Sequence, residues 1–327
     1  MHMGNNSPRK VILDTDMGVD CDDAVALALL LNKHIAGEID LVCVTASSTR
    51  EGATGTIKAI CNYYGVKLEI GAMAVPALKC DMLNNYGKAV KDFYHTEDET
   101  QDAVRLLRKT LAGMAEKCTL ILIGPVSNME RLLKSEPDEF SPLGGEQLVR
   151  ETVAEIYSMG GCFEQNCAAY GMAFTPEWNI VQDIPAAQYF VAHCPVRVTF
   201  VPWEAGASVM TVMGQGDNPV WYSMLQYAIS EKYPYEPTYE RMSWDPVTCL
   251  CATEGCEEYY DYSEAGTVSV DDQGRTIFRE EKDGKFRILL LKDGYQRIAD
   301  KINASVEPIW KRRRAVNERI RSPWKEI

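Results

Sequence analysis

Residues 11–31 read VILDTDMGVDCDDAVALALLL, and few folds accommodate such a stretch. An apolar run ends in Asp14-Thr15-Asp16, the chain turns at Gly18, three more acids follow at Asp20, Asp22 and Asp23, and an apolar helix begins at Ala24. Strand, acidic loop and buried helix in that order form the first unit of an α/β sheet. In open sheets of this kind ligands bind outside the carboxyl ends of the strands, which is where the acids fall. Five carboxylates in one loop repel one another, and burying them without a counter-charge is unfavourable. A hard divalent cation with oxygen ligands relieves the repulsion. One or two of the acids also serve the helix start, where side-chain caps and negative charge are favoured.

The rest of the chain fits an enzyme-sized α/β domain. It has 327 residues, 46% of them apolar, enough for one large core. No run approaches the roughly 18 apolar residues of a membrane span. Residues 1–9 lack an apolar centre and read as a flexible leader, with a single domain over 10–327. The formal charge of −13 repels nucleic-acid backbones, so no polymeric nucleic-acid partner is expected. Eleven cysteines scattered through apolar segments read as reduced thiols of a cytoplasmic protein. Cys249, Cys251 and Cys256 cluster without a nearby histidine, leaving a zinc site open as an alternative.

Further along, residues 39–45, 118–123 and 196–201 read as strands, each followed by a polar or glycine-containing turn. Residues 101–117 have the apolar spacing of an amphipathic helix. Residues 81–100 show no clear periodicity and read as a long connection of the kind that forms lids. Residues 162–176 read as loop, residues 206–245 as mostly helical, and a helix is expected after Pro246.

These motifs resemble the inosine–uridine-preferring nucleoside hydrolases, Ca²⁺-dependent N-ribohydrolases whose N-terminal strand runs into D-x-D-x-G-x-D-D-A. Asp14-Thr15-Asp16-Met17-Gly18 and Asp22-Asp23-Ala24 match it, with two extra residues in the loop. Gly124-Pro125-Val126-Ser127-Asn128, Met159-Gly160-Gly161, Glu177-Trp178-Asn179-Ile180 with Asp183, and Asp245-Pro246 follow in the family's order. The resemblance implies a Rossmann-like fold, a mostly parallel sheet flanked by helices. It implies a Ca²⁺ site of Asp16, Asp23, Asp245 and the Ser127 carbonyl, with Asp14 supporting it from behind. Asp16 would also act as base on a Ca²⁺-bound water, while Asp22, Glu177 and Asn179 would hold the ribose. It implies a homodimer or homotetramer acting on a small nucleoside.

Departures from the family pattern sharpen the reading. Asp20 stands where an uninterrupted motif would put the first paired acid; we take Asp22 and Asp23, which directly precede the helix, and treat Asp20 as an extra loop acid. Where many pyrimidine-accepting members carry histidine before the late aspartate, this chain has Trp244, as purine-selective members can, so a stacked purine is expected. His95 is a candidate to reach the base. Ser48 stands near the position of a family asparagine and is a candidate ribose contact. Two alternatives stay open: hydrolysis of another N-riboside, and binding of Ca²⁺ and a riboside without turnover. A haloacid-dehalogenase-like phosphatase shares the D-x-D opening, but the immediate D-D-A helix fits it poorly.

Overall fold

The computed structural model describes residues 7–74, 86–214, 216–230, 240–309 and 311. The first half alternates single strands with one or two helices. Strand β1 (Arg9–Thr15) leads to α1 (Asp22–Ala36), β2 (Ile39–Ala46) to α2 (Ala53–Tyr64), and β3 (Glu69–Gly71) to α3 (Tyr86–Phe93) and α4 (Ala103–Ala112). Then come β4 (Cys118–Leu122), α5 (Ser127–Leu133), α6 (Gly145–Thr152) and β5 (Val153–Met159). Three short helices follow, α7 (Glu164–Tyr170), α8 (Trp178–Gln182) and α9 (Ile184–His193), before β6 (Arg197–Val201). Helix α10 (Trp203–Gly206), β7 (Met210–Val212), α11 (Pro219–Ser230), β8 (Glu240–Met242) and α12 (Trp244–Glu254) carry the chain to its last section. That section holds β9 (Tyr260–Tyr262), β10 (Gly266–Val270), β11 (Thr276–Glu280), β12 (Phe286–Leu291) and α13 (Ile298–Ser305).

The main sheet runs β11-β10-β12-β6-β5-β4-β1-β2-β3, and β9 pairs with β12. From β3 to β12 the ladders are parallel; β9, β10 and β11 add antiparallel pairs at one end. The order β3-β2-β1-β4-β5-β6 is that of a doubly wound sheet, in which the direction of winding reverses between β1 and β4. Alternation along β1 sorts its side chains between two cores. Val11 and Leu13 join α1 and α12 on one face, while Ile12 joins Leu106, Met129, Leu132 and Phe190 on the other. With both faces covered, β1 reads as an unbroken apolar run. Helix α1 is buried from Asp22 to Asn32 and ends at Gly37, whose φ of 77° gives the left-handed C-terminal turn.

Several expectations need correcting. The stretch read as an aperiodic connection contains α3, whose buried face is only Tyr86, Gly87 and Val90, too short a stripe to register as periodic; residues 75–85 lie outside those described. Residues 164–170, read as loop, form α7. The amphipathic helix spans Ala103–Ala112 rather than 101–117. Residues 206–245 include the β7–β8 ribbon as well as α11. Helix α12 starts at Trp244, so Pro246 sits inside its first turn, where a missing N–H is tolerated. Arg9, assigned to the leader, is the first residue of β1, and its guanidinium donates to the Ala252 and Thr253 carbonyls at 3.0 and 3.1 Å. Cys251 and Cys256 are paired as a disulfide, against the reading of all cysteines as thiols and against zinc at that cluster. Among the described residues no helix is long and apolar enough to cross a membrane.

Candidate active site

The winding reversal between β1 and β4 leaves a crevice at their carboxyl ends, and Asp16, Asp20, Asp22 and Asp23 stand in it. Glycine allows the two strand ends to meet: a Cβ on Gly124 would lie 2.5 Å from Ser47 Oγ and 2.8 Å from the Asp16 backbone nitrogen. Gly18, at φ 98°, turns the acidic loop back toward α1. Tyr86 of α3 pins that loop, its hydroxyl accepting from Gly18 N–H at 2.9 Å and donating to the Asp20 carbonyl at 2.5 Å.

Asp14 lies behind the crevice, 3% exposed. One oxygen accepts from Thr45 Oγ1 (2.5 Å) and Asn128 Nδ2 (2.9 Å); the other is buried with no partner. Burial pushes its pKa up to about 6 despite those bonds. Asp22 and Asp23 open α1. Asp22 Oδ2 accepts from the backbone N–H groups of Trp244 (2.9 Å) and Asp245 (3.1 Å), tying α1 to α12. Asp23 accepts from Thr15 Oγ1, and its other oxygen is buried without a partner. Carboxylate oxygens of Asp22, Asp23 and Asp245 lie within 4.8 Å of one another. That trio has Asp22 where the sequence reading put Asp16.

The electrostatics are those of acids crowded out of water. Burial, then the neighbouring carboxylates, hold Asp16, Asp23 and Asp245 well above the usual carboxylate range. Burial and Asp20 raise Asp22 to about 7, against the pull of Arg241. Glu177 caps α8, accepting from the N–H groups of Asn179 (2.9 Å), Ile180 (3.3 Å) and Gly161 (3.0 Å); burial outweighs these bonds and raises it to about 7. Asn179 Nδ2 points back at Met159, 3.1 Å from its sulfur. The donor set is oxygen throughout and two of its buried oxygens lack partners, which suits a hard divalent cation.

Around these groups lies a cavity of about 250 Å³. Asp16, Asp22, Asp23, Asp245, Glu177 and Asn179 line its floor and side, and Trp178, Trp203, Tyr227 and Trp244 supply aromatic walls. Asp20 reaches the cavity but is held by Arg241, whose Nε donates to it at 2.9 Å. Arg241 also lies over the rings of Tyr227 and Trp244, 5.2 and 5.3 Å from their centroids. Trp244 is fixed by an indole N–H donated to the Trp203 carbonyl at 2.7 Å.

Not every candidate residue converges here. Ser48 is buried, accepts from Arg50 N–H at 3.2 Å and does not line the cavity. His95 is exposed just beyond α3, with φ 53°, and does not line it either. The Ser127 side chain, at the start of α5, does not line the cavity, its hydroxyl donating to Asp183 at 2.6 Å; the sequence reading concerns its backbone carbonyl. Sequence reasoning missed Arg241, Tyr227 and Trp203. Arg241 stands three residues before Trp244, but nothing in the sequence pairs it with Asp20.

Comparison with known proteins agrees with the geometry. The curated pyrimidine-specific ribonucleoside hydrolase RihA of Escherichia coli O7:K1 is 28% identical over 193 residues, 54% of this chain and 55% of that protein. The chain thus spans about half the length of the curated relatives it matches. Two solved structures share the fold. One is titled inosine-guanosine nucleoside hydrolase (TM-score 0.70, 16% identity, 92% of this chain and 99% of that one). The other is a purine-preferring ribonucleoside hydrolase from Gardnerella vaginalis (TM-score 0.63, 18% identity, 90% and 100%). The family model described as inosine-uridine preferring nucleoside hydrolase matches residues 11–307, and with that match over nearly the whole chain the protein belongs to the inosine–uridine-preferring nucleoside hydrolase family.

Proposed function

We propose that this chain hydrolyses the N-glycosidic bond of ribonucleosides, purine nucleosides in preference, to free base and ribose, with Ca²⁺ as its cofactor. The observation that carries the reading is the convergence of buried carboxylates and aromatic walls on one cavity at the winding reversal of the sheet. Asp16, Asp23, Asp245 and the Ser127 carbonyl would hold the ion, with Asp22 close enough to share it and Asp14 behind it. When bound, Ca²⁺ supplies Lewis acidity toward water and a grip on sugar hydroxyls.

The chain's own residues account for the remaining steps. A carboxylate oxygen of Asp16 takes the proton of the attacking water. Glu177, Asn179 and Asp22 bind and orient the ribose hydroxyls, fixing the sugar for attack. Glycosidic cleavage builds positive charge on the ribose ring, and the surrounding carboxylates stabilise that charge more than the neutral substrate. Trp244 stacks on the departing base, which takes a proton from solvent as the C–N bond breaks. A purine presents the larger face to such a wall, which is the basis for the preference over pyrimidines. Assembly as a homodimer or homotetramer, which rests on the resemblance, and a cytoplasmic location, which rests on the many cysteines outside the Cys251–Cys256 pair, are further proposals.

The test is ribose release from inosine, adenosine, guanosine, uridine, cytidine and nicotinamide riboside, with and without a Ca²⁺ chelator. Chelator-sensitive release from the purine nucleosides, with pyrimidines slower, is the expected result. Faster release from uridine than from inosine would overturn the purine preference. No release from any of them with Ca²⁺ bound would favour the binding-only alternative.

A further inference from the structure

A second convergence of ligating side chains lies outside the acidic cavity. Cys162 follows the Gly160-Gly161 turn at the end of β5, Cys167 lies in α7, and Glu204 lies in α10. All three are buried, at 1%, 3% and 0% exposure. The two sulfurs are 3.4 Å apart, Cys167 Sγ is 3.6 Å from Glu204 Oε1, and the Ala173 carbonyl oxygen lies 3.7 Å from Cys162 Sγ and 3.5 Å from Cys167 Sγ. Glu204 Oε1 also accepts from Phe163 N–H at 2.7 Å. Its Oε2 is buried with no partner at all, an unfavourable place for a carboxylate oxygen.

We propose that Cys162, Cys167, Glu204 and the Ala173 carbonyl form a second metal site, taking a thiophilic divalent cation of the Zn²⁺ type. A tetrahedral zinc with bonds of about 2.3 Å to sulfur and about 2.1 Å to oxygen sets its ligands roughly 3.4–3.8 Å apart. The two sulfurs, the Ala173 oxygen and the Cys167–Glu204 Oε1 pair already stand at nearly those separations, and the donor atoms of Cys162, Cys167 and Glu204 all lie within 4.8 Å of one another. A cation held by Oε1 neutralises a buried carboxylate whose other oxygen, Oε2, has no hydrogen-bond partner. Residues 173–176, exposed beside the cluster, offer a short path from solvent. Two sulfurs distinguish this site from the all-oxygen acidic cavity, which suits a harder ion.

The site ties together the supports of the acidic cavity. Gly161, next to Cys162, donates to Glu177, and Trp203, next to Glu204, is a cavity wall whose carbonyl holds Trp244. A cation here clamps the ends of β5 and β6 in one arrangement.

The probe is Co²⁺, titrated into the reduced 327-residue chain with Ca²⁺ saturating. The expected result is one equivalent bound with a thiolate-to-cobalt charge-transfer band. That band disappears in the C162S/C167S double variant and persists in C249S, whose changed thiol sits beside Asp245. E204Q binds at least ten-fold more weakly. No band in the unaltered chain, or one that survives C162S/C167S, would overturn the proposal. If the double variant does not fold, X-ray absorption of the Zn²⁺-loaded chain decides: two sulfur and two lighter neighbours are expected, and any shell without two sulfurs overturns it. Recovery of Cys162 and Cys167 as a disulfide from protein produced with Zn²⁺ supplied also overturns it.

Discussion

Asp16, Asp22, Asp23 and Asp245 are each no more than 5% exposed, and only Asp22 is held by several backbone N–H groups. Four such acids would not persist together in a core selected for stability alone; removing one relieves repulsion. We therefore predict that Asp16→Asn lowers ribose release by about 10²–10⁴-fold, the range of a lost general base. Its metal-free unfolding temperature should equal or exceed that of the unaltered chain. Unchanged turnover would remove Asp16 from the chemistry. Trp244→Ala should slow purine nucleosides by roughly 3- to 10-fold more than pyrimidines, the scale of one aromatic contact; equal loss on both would count against stacking. Asp16, Asp22 and Asp23 were legible in the sequence because carboxylates crowded beside a strand end have few other uses; Asp245 was legible only through the resemblance. Arg241 was not, because a single arginine carries no sign of its partner until the fold brings β8 over the loop that holds Asp20.

Elements position the acids, and their legibility followed the length of their apolar pattern. The apolar runs of β1, β2, β4 and β6 were readable because parallel strands buried on both faces leave little else in their sequence. Helix α3 escaped because two of its three buried residues are Tyr86 and Gly87, and its importance lies in one hydroxyl rather than in a stripe. That hydroxyl gives a test. Tyr86→Phe leaves the Gly18 N–H without its partner and frees the Asp20 carbonyl, so the chain should lose about 1–3 kcal/mol of stability. Denaturant unfolding with and without Ca²⁺ checks it, and Ca²⁺ affinity should fall with the loosened loop. A change below about 0.5 kcal/mol would mean that the loop holds its shape without α3.

At the scale of the molecule, the doubly wound order places the carboxyl ends of β1 and β4 side by side, and α12 returns Asp245 from far along the chain to the first turn of α1. The order of motifs made the domain readable; the β7–β8 ribbon and the Cys251–Cys256 disulfide depend on contacts the sequence does not advertise. The raised carboxylates make stability depend on pH with a definite sign. Asp14, at about 6, and Asp22 and Glu177, at about 7, bind protons more tightly folded than unfolded, where they titrate near 4. Their contribution is full below about pH 4 and is lost as pH rises through 6 to 7. Metal-free protein should therefore gain from these groups between pH 8 and 5. Saturating Ca²⁺, which binds the ionised form, should stabilise most at pH 8, by about 2.7 kcal/mol at a hundred times Kd. Thermal unfolding at both pH values checks this; a Ca²⁺ effect larger at pH 5 than at pH 8 would contradict it.

The most direct measurement follows bound Ca²⁺ and ribose release from inosine on the same sample as the ion is titrated into chelator-stripped protein. One ion per chain, with the rate rising in proportion to its occupancy, is the predicted result. Full turnover without the ion, or a fully occupied site that releases no ribose, would contradict the reading of the acidic cavity.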